Sequence, residues 1–296
     1  MNLQFLGTAA AEGYPAIFCN CTNCNQARAL GGRNMRYRSA LLVNDDLLID
    51  FGPDLMAAAQ RFGRNLSRVT TTLVTHAHPD HFLLENAQMR RETFTAHVAV
   101  PTLHLFGPKE VIEAFPRPAE LPAPSALPEI STWSKPAQEP GNTIELAALR
   151  MRVTGVHAFE RWQAGTYRCQ AFRAHHAVGA LEALFYSIDD GQKAFLYASD
   201  TGPFPEDTWQ ALAGQAFDAI IMEETMGSGA YNQHMGFEDF FQHVTRMREM
   251  SLLRPGGRLI ATHFSHTSNP SHGELEAIFN PRGIEVAYDG LTLDLV

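Results

Sequence analysis

The sequence predicts a layered α/β fold, and two observations support this prediction. Short runs of β-branched and aliphatic residues recur along the chain and predict strands. Between several of these runs, apolar residues recur at steps of three and four, which is typical of helices that bury one face. The 296 residues are 45% hydrophobic and 19% charged, so the chain can bury a sizeable core.

The predicted strands extend from the first residues to the last. In chain order they are LQFLG, SALLV, DLLID, TTLVTH, HVAVP, RVTGV, LFYSI, AFLYASD, AIIMEE, GRLIATH and IEVAYDG. The predicted helices are PDLMAAAQRFG, DHFLLENAQMRRETF and FEDFFQHVTRMREMSL. Many strands interleaved with helices indicate sheets that are covered by helices.

One segment departs from this pattern. Phe115 to Gly141 carries seven prolines and little periodicity, which predicts an inserted loop. The loop is either a solvated excursion or a functional element such as a lid or a dimer contact. No internal repeat and no clear linker divide the chain, so we expect a single domain over residues 1–296.

Charge and hydropathy restrict the class of partner. The net charge of −9 disfavours duplex nucleic acid, although a buried metal pair could still attract an anionic small molecule. No run of about 18 apolar residues predicts a membrane span. The opening MNLQFLGTAA lacks the features of a signal peptide, and we therefore predict a cytoplasmic protein.

The strongest chemical signal is THAHPDH, which directly follows an apolar strand. It places His76, His78, Asp80 and His81 within six positions, too densely for packing to explain. Imidazole and carboxylate are ligands that zinc, manganese and iron accept. On a compressed turn, His76 and His78 could bind one ion while Asp80 and His81 bind a second.

Two ligands per ion are too few, so later strand ends must supply the rest. The segments FRAHHAV, YASDTG and IATHFSH each place His or Asp near an apolar run, which predicts His176, Asp200 and His263 as further ligands. His175 is the alternative to His176. Two ions about 3.5 to 4 Å apart can share a hydroxide that hydrolyses a phosphodiester, a thioester or a lactam.

Three cysteines form a separate cluster in CNCTNC. Cys19, Cys21 and Cys24 are either reactive thiols or, at this spacing in a reducing cytosol, three ligands of a structural zinc. On spacing alone, the fourth ligand is one of three histidines: His234, His266 or His272. The remaining Cys169 is expected to be a small buried apolar residue.

These motifs carry a resemblance to known families. THAHPDH matches the HxHxDH motif of the metallo-β-lactamase superfamily. Together with CxCxxC before it and the late THxSH, the chain resembles the PhnP-type phosphodiesterases, which open the cyclic phosphate of phosphoribosyl 1,2-cyclic phosphate. The similarity covers most of the chain, from LQFLGTAAAEGYP to VAYDG, except the proline-rich segment.

The resemblance implies a fold and a set of roles. The fold is an αββα sandwich of two mixed β-sheets flanked by helices, with two divalent ions, manganese or zinc, at one edge. The implied ligands are His76, His78 and His176 on one ion and Asp80, His81 and His263 on the other, with Asp200 as the bridge. His266 is implied as the fourth ligand of the structural zinc. Asp80 and His234 are the implied catalytic residues, with His234 contacting the substrate phosphate. Dimers are common among such relatives, so a homodimer is also implied.

The leading hypothesis is therefore a metal-dependent phosphodiesterase that acts on phosphoribosyl 1,2-cyclic phosphate or nucleoside cyclic phosphates. One alternative is an acyl hydrolase acting on a lactone or thioester. Another is a small-molecule binding or carrier protein, because the CNCxNC opening also resembles PqqB-type proteins of pyrroloquinoline quinone biosynthesis. The segment HAFERWQAGTY departs from the pattern, and its Arg161, Trp162 and Tyr167 either contact a nucleoside or sugar phosphate or belong to an ordinary surface loop.

Overall fold

The computed structural model describes residues 1–115, 146–176 and 181–296. The predicted proline-rich insertion therefore lies outside the described residues, apart from Phe115. The described strands are β1 (Asn2–Gly7), β2 (Ala40–Val43), β3 (Leu47–Ile49), β4 (Thr71–Leu73), β5 (Leu103–Gly107), β6 (Met151–Gly155), β7 (Arg161–Ala164), β8 (Tyr167–Arg173), β9 (Leu184–Asp189), β10 (Ala194–Ala198), β11 (Phe217–Glu223), β12 (Leu253–Thr262), β13 (Ile284–Val286) and β14 (Thr292–Asp294).

Helices connect and cover these strands. The α-helices are α1 (Thr22–Leu30), α2 (Leu55–Arg61), α3 (Lys109–Glu113), α4 (Glu206–Leu212), α5 (Phe237–Glu249) and α6 (His272–Phe279). Short 3-10 helices span Gly32–Asn34, Leu66–Arg68, Leu84–Arg90 and Asn280–Arg282. In the part of the chain that the structure describes, no helix has the length and apolar character needed to cross a bilayer.

The strands form two mixed sheets of seven strands each. The first has the order β14-β1-β2-β3-β4-β5-β6 and the second the order β13-β12-β11-β10-β9-β8-β7. Each sheet has three antiparallel and three parallel pairings, which in these orders come antiparallel first in the first sheet and parallel first in the second, with β3 and β10 at the change of direction. The predicted sandwich of two mixed sheets flanked by helices is confirmed.

Alternation along the strands creates three apolar layers. Side chains such as Ile49 and Ile221 fill the space between the sheets. On the outer face of the second sheet, Phe240 of α5 belongs to another buried cluster, and on the outer face of the first, Leu48 packs in a cluster with Leu55 of α2. Each fully buried side chain of this size contributes about 1.5–3 kcal/mol, so the three layers dominate the stability of the fold.

Two predicted elements differ from the structure. The run HVAVP forms no strand, because His97 has a positive φ of 61° and Val98 is exposed; the strand is the next run, LHLFG, which is β5. The stretch DHFLLENAQMRRETF contains a 3-10 helix rather than an α-helix. There the Asn86 side chain donates to the backbone oxygens of Phe51 and Gly52, which fixes the segment against the end of β3.

The direction of the parallel strands determines where a site can form. β3 and β4 of the first sheet run parallel to each other, as do β10, β11 and β12 of the second. The residues that directly follow the carboxyl ends of parallel strands lie at one edge, where ligand sites of α/β sheets commonly occur. The segments carrying the predicted ligands follow β4, β10 and β12.

Candidate metal centres

Three histidine rings meet at this edge of the sandwich. His76 and His78 follow β4 of the first sheet, and His176 follows β8 of the second. The Nδ1 atom of His78 lies 2.9 Å from Nε2 of His76 and 3.1 Å from Nε2 of His176. Burial lowers the pKa of His76 and of His176, which favours the neutral imidazole that binds metal.

A second group lies beside the first and contains Asp80, His81, Asp200 and His263, all buried. The Nε2 atom of His81 is 3.1 Å from Asp80 Oδ2 and 2.5 Å from Asp200 Oδ2. The same oxygen of Asp200 lies 2.9 Å from His263 Nε2. Burial acts to raise the pKa of Asp200, but the neighbouring His263 and His81 outweigh it and hold this pKa well below its usual range.

The donor atoms of the second group suit a metal ion better than one another. His81 Nε2, Asp200 Oδ2 and His263 Nε2 are buried and, among the described residues, have no hydrogen-bond partner despite their short separations. Such unpaired atoms are costly, and an ion that all three face would satisfy them. Asp200 also lies near the first group, with Oδ1 3.9 Å from His176 Nε2. The residues therefore fit two ions with Asp200 between them.

Asp50 orients His81 from behind. It directly follows β3 with φ of 66°, and its Oδ2 atom lies 2.7 Å from His81 Nδ1. Its other oxygen accepts hydrogen bonds of 2.9 Å from the backbone N–H and the hydroxyl of Thr75. Because Asp50 holds Nδ1, it leaves Nε2 of His81 facing Asp80 and Asp200.

His234 borders the second group and is held by a carboxylate that sequence analysis did not identify. Its Nδ1 atom lies 2.9 Å from Oε1 of Glu223, a fully buried residue at the end of β11, and 3.8 Å from Asp200 Oδ1. Burial lowers the pKa of His234, but the charge and hydrogen bond of Glu223, with the charge of Asp200, raise it to about 9. Glu223 occupies Nδ1, so Nε2 is the ring nitrogen that a substrate can reach.

Two glycines allow the site loops to approach each other closely. A Cβ atom on Gly52 would stand 2.0 Å from the backbone oxygen of Asp80, and one on Gly202 would stand 2.2 Å from that of Asn232. Any side chain at Gly52 would displace the segment that carries Asp80. At Gly202, it would displace the segment that carries His234.

Asp50 and Glu223 were missed although the sequence contains a signal for both. Each carboxylate ends or directly follows an apolar strand, in DLLID and AIIMEE, as Asp200 does in AFLYASD. Metal-ligand spacing cannot reveal them, because both hold histidine rings from behind. A search for carboxylates at strand ends would have found them.

The third cluster consists of Cys19, Cys21, Cys24 and His266. His266 Nδ1 lies 3.7 Å from Cys19 Sγ and 3.5 Å from Cys21 Sγ. In tetrahedral zinc with Zn–S of about 2.3 Å and Zn–N of about 2.0 Å, sulfur and nitrogen stand about 3.5 Å apart. A hydrogen bond from the Cys24 N–H, helped by His266 and opposed by burial, lowers the pKa of Cys21 to about 6, so the ligating thiolate forms near neutral pH.

This cluster connects the first residues of the chain to the segment after β12. His266 stands three residues after His263. Between them, the Phe264 N–H donates to the Thr8 oxygen at 2.9 Å. Glu12 supports the ring of His266, with Oε1 3.6 Å from Nε2. An ion here would fix the position of His263 in the second group.

Two histidines considered from the sequence lie elsewhere. His175 is exposed, and its N–H donates to the Thr201 hydroxyl at 3.0 Å, whereas the adjacent His176 joins the first group. His272 has its Nδ1 atom 2.9 Å from the buried guanidinium of Arg36, and burial with the Arg36 charge lowers its pKa to about 3. Of the three candidates for the fourth zinc ligand, only His266 belongs to the cysteine cluster.

Arg161, Trp162 and Tyr167 do not reach these groups, so a substrate role for them is not supported. They belong to the β7–β8 hairpin rather than to a surface loop. Tyr167 is buried, and its hydroxyl donates to Asp46 at 2.5 Å. Arg161 pairs with β8 six residues before His176, which at about 3.3 Å per residue is a separation of roughly 20 Å.

The fold and the metal-ligand groups define a class of protein, the metallo-β-lactamase-fold hydrolases, which depend on divalent metals. The sequence pattern of the beta-lactamase superfamily domain matches residues 46–264, and the chain belongs to this superfamily. The matched range includes both histidine and aspartate groups. Cys19, Cys21, Cys24 and His266 lie outside it.

Individual proteins are similar to this chain in sequence or in structure. Over an alignment of 337 residues that spans all of both chains, the protein is 25% identical to coenzyme PQQ synthesis protein B of Methylobacillus flagellatus. Among solved structures, a diphosphatase from the PhnP family superposes with a TM-score of 0.70 and 19% identity, covering 99% of this chain and 96% of that one. Zinc-bound PqqB from Methylobacterium extorquens superposes with a TM-score of 0.67 and 18% identity, covering 99% and 100%.

Proposed function

We propose that the protein is a metal-dependent phosphodiesterase that hydrolyses small or cyclic phosphodiesters. The observation that carries this proposal is the position of His234. Its ring lies beside Asp200 and stacks near His263, with ring centroids 5.7 Å apart, while Glu223 holds its Nδ1 atom. A histidine held in this way favours a substrate that gains negative charge as it reacts, as a phosphodiester does.

In this proposal the clustered residues divide into two ligand sets. His76, His78 and His176 would hold one ion, Asp80, His81 and His263 the other, and Asp200 both. When bound, the two ions, zinc or manganese, supply Lewis-acid activation of water and of the phosphoryl oxygens. The cysteine cluster with His266 would hold a structural zinc, because four protein ligands leave no position for substrate.

The chain's own residues then orient the reactants and move protons. Asp80, whose side chain retains 9% exposure, can accept a hydrogen bond from the attacking water and so orient it. His234 donates the proton on Nε2 to the departing oxygen, or stabilises charge on a phosphoryl oxygen. Glu223 fixes the ring so that Nε2 faces the substrate.

The substrate class that we propose is the cyclic phosphate of a ribose or a nucleoside, with phosphoribosyl 1,2-cyclic phosphate as one member. Two similarities support it. The CxCxxC, HxHxDH and THxSH motifs are those of PhnP-type phosphodiesterases, and a PhnP-family diphosphatase shares the fold over nearly the whole chain. Opening a cyclic ester releases an alkoxide, which a proton from His234 would neutralise.

The test compares two model substrates. Protein stripped of labile metal and then given manganese or zinc is assayed on bis(p-nitrophenyl) phosphate and on p-nitrophenyl acetate. We expect metal-dependent cleavage of the diester and little cleavage of the acetate. Cleavage of the acetate alone would favour an acyl hydrolase and would contradict the proposal.

A second candidate is a PqqB-like binding or carrier protein. It is favoured by the similarity to coenzyme PQQ synthesis protein B, which spans the full length of both chains. This candidate predicts that fully metallated protein cleaves neither ester and binds pyrroloquinoline quinone, as measured by isothermal titration calorimetry. Diester turnover without such binding would reject it.

A further inference from the structure

A separate cavity of about 550 Å³ opens on the outer face of the first sheet, on the side that faces away from the second sheet. We call it the outer cavity. Leu48 of β3 and Thr72 of β4 contribute to its floor, and α2 and residues 86–103 contribute to its walls. None of the residues in the two histidine and aspartate groups lines it, so it is distinct from the proposed active site.

The walls of the outer cavity are mainly apolar and partly exposed. Met56 of α2, Met89 and Phe94 all line it, yet they remain 61%, 47% and 54% exposed to solvent. Single exposed apolar residues are common, but three large ones around one concave surface indicate a binding site. A volume of this size is typical of sites for small organic ligands.

Two polar atoms of the lining lack partners. Thr72 is completely buried, and its hydroxyl has no hydrogen-bond partner among the described residues; the same holds for the Nε atom of Arg64. The hydroxyl of Thr75, which follows the same strand, is in contrast bonded to Asp50. A buried polar group left unpaired is costly, so a polar ligand group that reached either atom, both of which are covered by neighbouring groups, would offset that cost.

The charge of the lining specifies the sign of that group. Among the described lining residues the charged side chains are Arg64 and Arg90, and none is a carboxylate, although the whole chain has a net charge of −9. Asp45, which does not line the cavity, lies 3.6 Å from Nη1 of Arg64, so Arg90 is the lining cation without a carboxylate beside it in the described residues. The Arg90 guanidinium is fixed by bonds to the backbone oxygens of Leu149 and Pro101. Burial lowers the pKa of Arg90, and a bound anion would offset this cost.

We propose that the outer cavity binds an amphipathic carboxylic acid, whose apolar chain or ring packs against the methionine and phenylalanine side chains. Its carboxylate pairs with Arg64 and Arg90, and this charge complementarity distinguishes it from a neutral apolar ligand. The proposal does not depend on the reaction at the metal groups.

The test uses dodecanoate, below its micelle concentration, as the probe. Binding is measured by isothermal titration calorimetry and by displacement of 1-anilinonaphthalene-8-sulfonate. We expect saturable binding of one dodecanoate per chain. Dodecanol, which has the same chain without the charge, should bind about tenfold more weakly because it forms no charged hydrogen bond.

Three variants locate the site. Arg64→Gln should weaken dodecanoate binding about tenfold. Arg61→Gln is the matched control, because Arg61 ends α2 but does not line the cavity. Ala59→Trp should fill the cavity and abolish binding. The melting temperature and the metal content of each variant establish that it is folded.

Absence of saturable dodecanoate binding to the wild type would overturn the proposal. So would equal binding of dodecanol, or binding that folded Arg64→Gln or Ala59→Trp protein retains at wild-type strength. Arg64→Gln changes a partly exposed side chain and is expected to fold even if Ala59→Trp does not, so the charge requirement remains testable.

Discussion

The substitution Glu223→Gln tests the proposed role of His234 directly. Glutamine keeps the size of the side chain and can still accept a hydrogen bond from His234 Nδ1, but it removes the negative charge. In the wild type these groups are 2.9 Å apart and Glu223 is fully buried. Glu223 also accepts hydrogen bonds from the Thr201 N–H at 2.7 Å and from the Thr225 N–H at 3.1 Å, so the substitution removes the charge and also replaces one acceptor oxygen by a donor.

The expected magnitude follows from this geometry. A hydrogen bond to a charged group contributes about 1.5–3 kcal/mol, so losing the charge should lower kcat/KM by about 10- to 100-fold. The same energy corresponds to roughly one to two units in the pKa of His234. In the proposed mechanism His234 donates a proton only below its pKa, so wild-type activity should decline as pH rises through about 9. In the variant, this decline should occur roughly one to two units lower.

The assay is the pH dependence of kcat/KM for bis(p-nitrophenyl) phosphate at saturating metal. The matched control is Glu224→Gln. Glu224 is the adjacent residue and is also buried, but it accepts from the Gly227 N–H at 2.7 Å, and burial raises its pKa well above the usual range. The hydrogen-bond partner of His234 is Glu223 and not Glu224, so the pH profile should not change in this control.

An unchanged profile in Glu223→Gln would refute this reasoning. A loss of bound metal in the variant would also refute it, because Glu223, His234 and His263 lie close enough together to hold an ion themselves. Metal content is therefore measured by mass spectrometry before each kinetic series.

Three further predictions concern the metal groups. Asp200→Ala should abolish diester turnover and release the active-site ions while the cysteine-bound zinc stays; metal analysis that shows both ions retained would remove it from the bridging position. Cys21→Ser should lose one zinc per chain and lower the melting temperature, whereas Cys169→Ala, a change in the core between the sheets, should lower stability and leave zinc content unchanged. Asp50→Asn should weaken metal binding about 10- to 100-fold, measured by chelator competition, because a neutral amide accepts from His81 more weakly than the carboxylate and no longer raises the basicity of the ring; unchanged affinity would contradict that role.

Most of the architecture could be predicted from alternation along the strands, because apolar runs of four to seven residues are sufficient to mark a buried strand. The errors occurred where the apolar pattern is misleading or is interrupted by polar residues. HVAVP has the composition of a strand, but the backbone turns at His97, and LHLFG forms β5 instead. β7 and β8 were missed because Arg161, Arg168 and Gln170 interrupt their apolar pattern on the outer face of the second sheet.

The metal-ligand groups were easier to anticipate than the residues that orient them. The dense THAHPDH motif is recognisable from the sequence alone, and the structure brings its side chains together with His176, Asp200 and His263. The choice of His266 among three histidines required coordinates, because spacing along the chain does not determine which ring meets the cysteines. Asp50 and Glu223 act through another residue, so metal-ligand spacing does not mark them, and their position at a strand end is the one local signal.

Each of the two ligand groups takes members from both sheets. His76 and His78 face His176 across the sandwich, just as Asp80 and His81 face Asp200 and His263. The spacing of the two sheets therefore helps to set the distance between opposing ligands, such as the 3.1 Å between His78 Nδ1 and His176 Nε2. A substitution deep in that layer that lets the sheets move apart by a few tenths of an ångström would weaken metal binding while the protein stays folded. The packing of core side chains far from the edge therefore affects the distances between the proposed metal ligands.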